Sequence, residues 1–162
     1  MSTWSTVLTT LDTSVVAGTM RGSTWLYPAV EVVHIVGLAV LVGSVAVFDL
    51  RVLGFGRAVP VQAAARMLLP WSAMSLFAIV PAGLLLFSAH PHDFASNDVF
   101  KLKLGLIAVA GANAALFHVG VFRSVAQWDA QISAPVIAKT QAAVSIALWI
   151  SVVLCGRLLA YT

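Results

Sequence analysis

The residues of this 162-residue chain that can do chemistry are few, and they sit in unusual company: single ionisable side chains embedded in long apolar runs. Glu31 and His34 are three apart, so a helix through them carries both on one face. Lys103, Asn113 and His118 fall within an arc of about 140° at 100° per residue, which aligns a cation, an amide and an imidazole along a second helix. Trp149 and Arg157 lie near the C-terminus, and His90-Pro91-His92-Asp93 makes a turn between two apolar runs. A neutral imidazole ligates haem iron, copper or zinc, and a nearby carboxylate can orient it through its second ring nitrogen. Two imidazoles two apart in an extended turn can converge on one ion. Lys103 and Arg157 inside apolar segments suit a buried anion, because an unpaired embedded cation is costly.

Each residue also has a plainer reading. Glu31 and His34 can be an interhelical hydrogen-bonding pair that fixes packing. Lys101 and Lys103 can snorkel to a membrane surface. His118 can be a solvated residue, and His90 and His92 ordinary turn residues. Cys155 reads as a small packing residue. Asp49 and Arg51 read as a local pair anchoring a helix end.

The elements that must hold these residues follow from composition. The chain is 60% hydrophobic and only 9% charged, with a mean hydropathy of +0.99, where soluble domains carry roughly 25% charged residues. So few charges cannot clothe a water-facing surface, and lipid must solvate most of the chain. The net charge of +3 comes from scattered basic residues that form no patch, which excludes nucleic acid as a partner. One cysteine excludes an intramolecular disulfide.

A bilayer core needs about 20 apolar residues per helix. Four segments qualify, at about residues 27–48, 68–89, 99–122 and 136–161. The expected fold is therefore all-α: an integral membrane four-helix bundle over 25–162, preceded by a short surface helix within 1–24. That N-terminal segment lacks the basic and long apolar regions of a signal peptide. Its Val7, Leu8, Leu11, Val15 and Val16 are at helical spacing. Pro81 should kink the second span and release a backbone carbonyl. Ala39 with Gly43, and Gly111 with Ala115, are spaced for close helix packing. Trp25, Tyr27, Trp71 and Tyr161 read as interfacial anchors.

Depth sorts the polar residues. His34 lies about 9 Å below Pro28, and Lys103 about 9 Å below Asn97, so the two share a level. Glu31, Arg157 and the 90–93 turn belong to the same end of the bundle. His118 lies about 22 Å further down, too far to ligate one iron together with His34. Arg51, Arg57, Arg66, Arg123 and Lys139 crowd the loops at that far end, which predicts cytoplasmic loops and both termini in the periplasm.

These residues also carry a resemblance. Trp25-Leu26-Tyr27-Pro28, Glu31, His34, Gly37, Gly43, Asp49-Leu50-Arg51 and Gly54 resemble an uncharacterised family of bacterial four-helix membrane proteins. Pro70-Trp71, Asn97, Phe100, Lys103, Asn113, Ser145, Trp149 and Gly156-Arg157 extend it to the C-terminus. More distantly, the layout is similar to CopD-type copper-resistance membrane domains, which implies copper handling at the periplasmic face. It is also similar to HemJ-type haem-binding four-helix proteins, which have a helix-one histidine and a helix-three lysine where His34 and Lys103 stand. The chain lacks the surrounding HemJ motifs, so the resemblance does not extend to that oxidase activity.

Two functions follow as expectations. One is a small redox protein of the bacterial inner membrane, binding a b-type haem or a quinone. His34 would be its axial ligand, Glu31 the orienting carboxylate, Lys103 and Arg157 the propionate partners, and Trp149 and Asn113 further lining. The other is a periplasm-facing copper protein with Glu31, His34, His90 and His92 as ligands. A cofactor-free accessory subunit is a third class. Partners would be lipid, a periplasmic redox or metal-carrier protein, and possibly a second copy of the chain. In sealed vesicles, a cysteine placed between residues 57 and 66 should be reached by an impermeant thiol reagent only from the cytoplasmic side. Labelling from the opposite side would reverse the orientation.

Overall fold

The computed structural model describes residues 3–129 and 132–161. Two short helices, α1 (Thr3–Asp12) and α2 (Val15–Gly22), precede α3 (Leu26–Leu53) and α4 (Val61–Ala89). A short α5 (Pro91–Ser96) leads into α6 (Asp98–Val119), and a 3₁₀ helix (Val121–Gln127) precedes α7 (Val136–Leu158). No strand occurs among the described residues. Helices α3, α4, α6 and α7 are each long and apolar enough to cross a bilayer. Their outward faces are apolar: Phe77 is 84% exposed and Ile35 56%, a surface that only lipid solvates without penalty. The protein is an all-helical, four-span membrane protein.

The spans pack in the order α4, α3, α7, α6. Along the remaining side, α4 and α6 never bring their Cα atoms within 8 Å of each other. Aromatic side chains bridge this gap at its ends. Phe87 of α4 stacks on Phe100 of α6 at 5.7 Å, with Phe94 at 5.3 Å from Phe100. At the opposite end Phe48, Phe117 and Val125 share one core with Val61, Ala64 and Ala65.

That opposite end, the loop face, is fastened by one residue from the α6–α7 connection. Asp129 caps α4: its Oδ1 accepts from the Gln62 amide at 2.7 Å, and its carbonyl accepts from the Val61 amide at 3.0 Å. The first amides of a helix have no partner within it, so a carboxylate there satisfies donors and opposes the positive end of the dipole. The same carbonyl accepts from Arg51 Nη2 at 3.1 Å, and Arg51 Nε donates to the Val59 carbonyl. Arg51 therefore closes the α3–α4 loop, and the expected Asp49–Arg51 pair does not form. Gly54 ends α3 at φ 112°, a left-handed conformation that a Cβ disfavours.

The cap also explains why the second span begins at Val61, a full two turns before its apolar run. Hydropathy marked only the stretch beyond Gln62 and Arg66, while the helix starts where its amides find partners. At the other face, Asn97 Oδ1 accepts from the amides of Val99 at 2.9 Å and Phe100 at 3.2 Å, fixing the start of α6.

The N-terminal segment is two helices rather than one, broken where Ser14 caps α2 by accepting from the Ala17 amide at 3.1 Å. Ala17 and Met20 are buried. Arg21 Nη1 donates to Asp12 at 2.8 Å and to the Ala89 carbonyl at 2.7 Å, tying the segment to the end of α4.

The close helix contact runs through different glycines from those the spacing suggested. Gly43 and Gly111 are exposed with open space where a Cβ would stand. At Gly37, by contrast, a Cβ would meet Ile79 Cγ1 at 2.7 Å, so α3 and α4 approach through Gly37. Replacing Asp129 by Ala should lower stability by about 1 kcal/mol, the usual worth of a lost cap. Thermal unfolding in detergent reads the loss, and Asp129→Asn should retain most of the stability.

Candidate functional site

The site begins with the α3–α4 contact. Because Gly37 and Gly83 lack side chains, His34 lies across α4, where a Cβ at Gly83 would stand 3.1 Å from its Cε1. Its Nδ1 is 3.0 Å from the Ile79 carbonyl. A carbonyl has no proton to give, so Nδ1 carries the hydrogen and Nε2 keeps its lone pair. Nε2 has no hydrogen-bond partner among the described residues. The carbonyl used is not the one that Pro81 orphans, which is that of Phe77; it lies about half a turn further along the same region of α4.

Lys103 of α6 approaches from the other side, near enough for its charge to be felt at the imidazole. Its Nζ rests 3.5 Å from the position of a Cβ on Gly156, beside Cys155 of α7. The ion pairs among the described residues are Arg21–Asp12 and Lys101–Asp98, both at 2.8 Å, and Lys103 belongs to neither. A half-buried ammonium without a carboxylate thus stands near an imidazole with an available lone pair. This pair can ligate a metal through nitrogen and neutralise an anion beside it.

Other expected members are placed differently. Glu31 is exposed and bears on Tyr27; the Ile79 carbonyl, not this carboxylate, orients His34. Arg157 is exposed, donates from Nη2 to the Tyr161 hydroxyl and lies 4.8 Å over that ring. Its guanidinium is turned to Tyr161, while Gly156 beside it contacts Lys103. His90 packs edge-on against Tyr27 at 6.1 Å, and His92 is exposed in a cleft with Asp12, Arg21 and Asp93. No three His, Cys, Asp or Glu among the described residues are grouped to hold an ion. His118 is exposed and bonds the Ala114 carbonyl at 2.8 Å. Asn113 donates to the Gln141 carbonyl at 3.0 Å, about 15 Å along α6 from Lys103.

Trp149 is half-buried, and it stands seven residues from Gly156, two turns down the same face of α7. That stripe continues to Ser145 and Gln141 near the loop face. Its period marks α7's inward face, a signal available in the sequence. What spacing could not show was the role of Ile79 and Gly83, because a backbone carbonyl and a missing side chain have no chemical signature.

Fold and site together define a four-span membrane protein with a histidine–lysine pair at the end of the bundle that carries both termini. The chain belongs to DUF6644, a family of unknown function whose model matches residues 11–162. No curated protein and no solved structure matches it.

The contact between Gly83 and the imidazole is testable by itself. Gly83→Val should displace His34 from the Ile79 carbonyl and cost about 1–3 kcal/mol, as overpacking does. In a His34→Ala background the same change should cost markedly less in thermal unfolding, because the colliding ring is gone.

Proposed function

We propose that this protein is a small membrane redox protein that binds a b-type haem near the end of the bundle holding the termini. The observation that carries the reading is His34, whose Nδ1 is held by the Ile79 carbonyl while its Nε2 is unpartnered. Metal-bound histidines are held by such a bond on the distal ring nitrogen, which sets the tautomer and makes the ligating nitrogen more basic. Lys103 adds support, since a half-buried ammonium without a carboxylate suits a haem propionate. Trp149 and Cys155 supply apolar lining below and beside it.

The haem would supply one-electron chemistry. The chain's own part is to present one imidazole, exclude water with α4 and α7, and compensate carboxylate charge through Lys103. The basic loops at the opposite face favour a bacterial inner-membrane orientation with this site toward the periplasm, where a soluble redox protein would exchange electrons with it.

The visible absorption spectrum of the protein purified from haem-replete cells tests the reading. A haem band is expected. His34→Ala should lower bound haem by roughly tenfold or more, the scale on which metal-site substitutions act. Lys103→Met should weaken retention less, and His118→Ala should leave it unchanged. A folded, colourless protein that carries copper, or carries nothing, would overturn the proposal.

A further inference from the structure

Near the loop face lies a second polar group that the haem reading does not use. Asp49 of α3 is 6% exposed, about four residues, or 6 Å, inside the end of its helix. Ser145 of α7 lies beside its carboxyl, and Oδ2 is buried without a hydrogen-bond partner. One turn away on the same face of α7, the side-chain oxygen of Gln141 is also buried without a partner. Asn113 of α6 donates to the Gln141 backbone carbonyl at 3.0 Å, so α6 closes this end from the other side. Two buried acceptors toward the loop-face end of the bundle thus lack a donor.

The ionisable groups at this end are all engaged elsewhere or exposed. Arg51 donates to the carbonyls of Val59 and Asp129. Arg66 on α4, Arg123 on the 3₁₀ helix and His118 on α6 are exposed. Lys139 on α7 donates to the Ser133 hydroxyl at 2.7 Å, and Asp129 accepts from the Gln62 amide at 2.7 Å. None forms an ion pair with Asp49.

An ionised carboxylate in this setting would be a buried charge without compensation, which the low-dielectric interior does not tolerate. A hard metal cation would need roughly six oxygen ligands, and this group offers Asp49, Gln141 and Ser145. A proton needs one donor oxygen and one acceptor. We propose that Asp49 is a proton-binding site embedded in the loop-face third of the bundle, its unpartnered oxygen carrying the proton and the buried side-chain oxygen of Gln141 accepting from it. The site is reversible, and protons enter from the nearby loop face. It stands about 22 Å along α3 from His34 and does not depend on what binds there.

Infrared spectroscopy of the full chain in lipid tests the site. At neutral pH the wild type should show the carbonyl stretch of a protonated carboxyl, shifted in deuterated buffer and absent from Asp49→Asn. Raising the pH should convert that band to carboxylate stretches. If Asp49→Asn fails to fold, ¹³C labelling of aspartate in the wild type excludes Glu31 and restricts the band to five aspartates, of which Asp49 is the buried one. Gln141→Leu, which leaves Asp49 in place, should move the band to higher frequency by removing the acceptor. Carboxylate stretches alone at neutral pH, whether or not sodium changes them, would overturn the proposal. So would a band that Gln141→Leu does not move.

Discussion

The hydrocarbon of a bilayer offers no hydrogen-bond partner, so every polar group within it must be satisfied by the protein or by something the protein binds. This one constraint orders the whole molecule. Backbone groups close into helices, and the hydroxyls of Ser72, Ser75, Ser88 and Ser151 bond back to carbonyls of their own helices. Arg21 is spent on the carbonyl that ends α4, where the intrahelical ladder leaves acceptors over, and Arg51 on carbonyls of the loops. Asn113 reaches across to the backbone of α7. Among the described residues, one oxygen of Asp49 and one of Gln141 are buried without a partner, and Nε2 of His34 and Nζ of Lys103 also lack one. They fall into two groups near opposite ends of the bundle.

The separation has a packing cause. Helix α3 is central, pressed against α4 through Gly37 and Gly83 and against α7 on its other side. Its inward residues therefore meet both α4 and α7. His34 and Asp49 lie near its two ends, separated by the apolar stretch through Leu41 and Phe48. Because α4 and α6 do not approach, the group at His34 borders a side of the bundle whose backbone is open. The group at Asp49 is shut in by the core around Phe48 and Phe117.

Several of these features were legible in the order of residues. Four apolar runs long enough to span, each with few charges, determine an all-helical membrane protein because no other backbone arrangement without a closed barrel survives in lipid. The rise of a helix, about 1.5 Å per residue, already set His34 and Lys103 at one depth and His118 far from both. Gln141, Ser145, Trp149 and Gly156, spaced four, four and seven, fall on one face of α7.

Direction and partner were decided only in three dimensions. Glu31 shares a helix face with His34, yet a carbonyl of α4 holds the imidazole, because Gly83 lets the ring lie against that helix. Arg157 is near Lys103 in depth but turns to Tyr161, since adjacent helix positions diverge by about 100°. Asp49 sits two residues from Arg51, which is too far around a helix to pair, and the arginine goes instead to carbonyls of the loops. Asp129, unremarkable in the sequence, caps a helix nearly seventy positions away. By itself the sequence determined the solvent, the number of spans and the depth of each polar residue, since these follow from local periodicity and length. The tertiary structure alone decided which polar groups remain unpaired, because that depends on which neighbouring helix presents a carbonyl, a glycine or nothing at the same level.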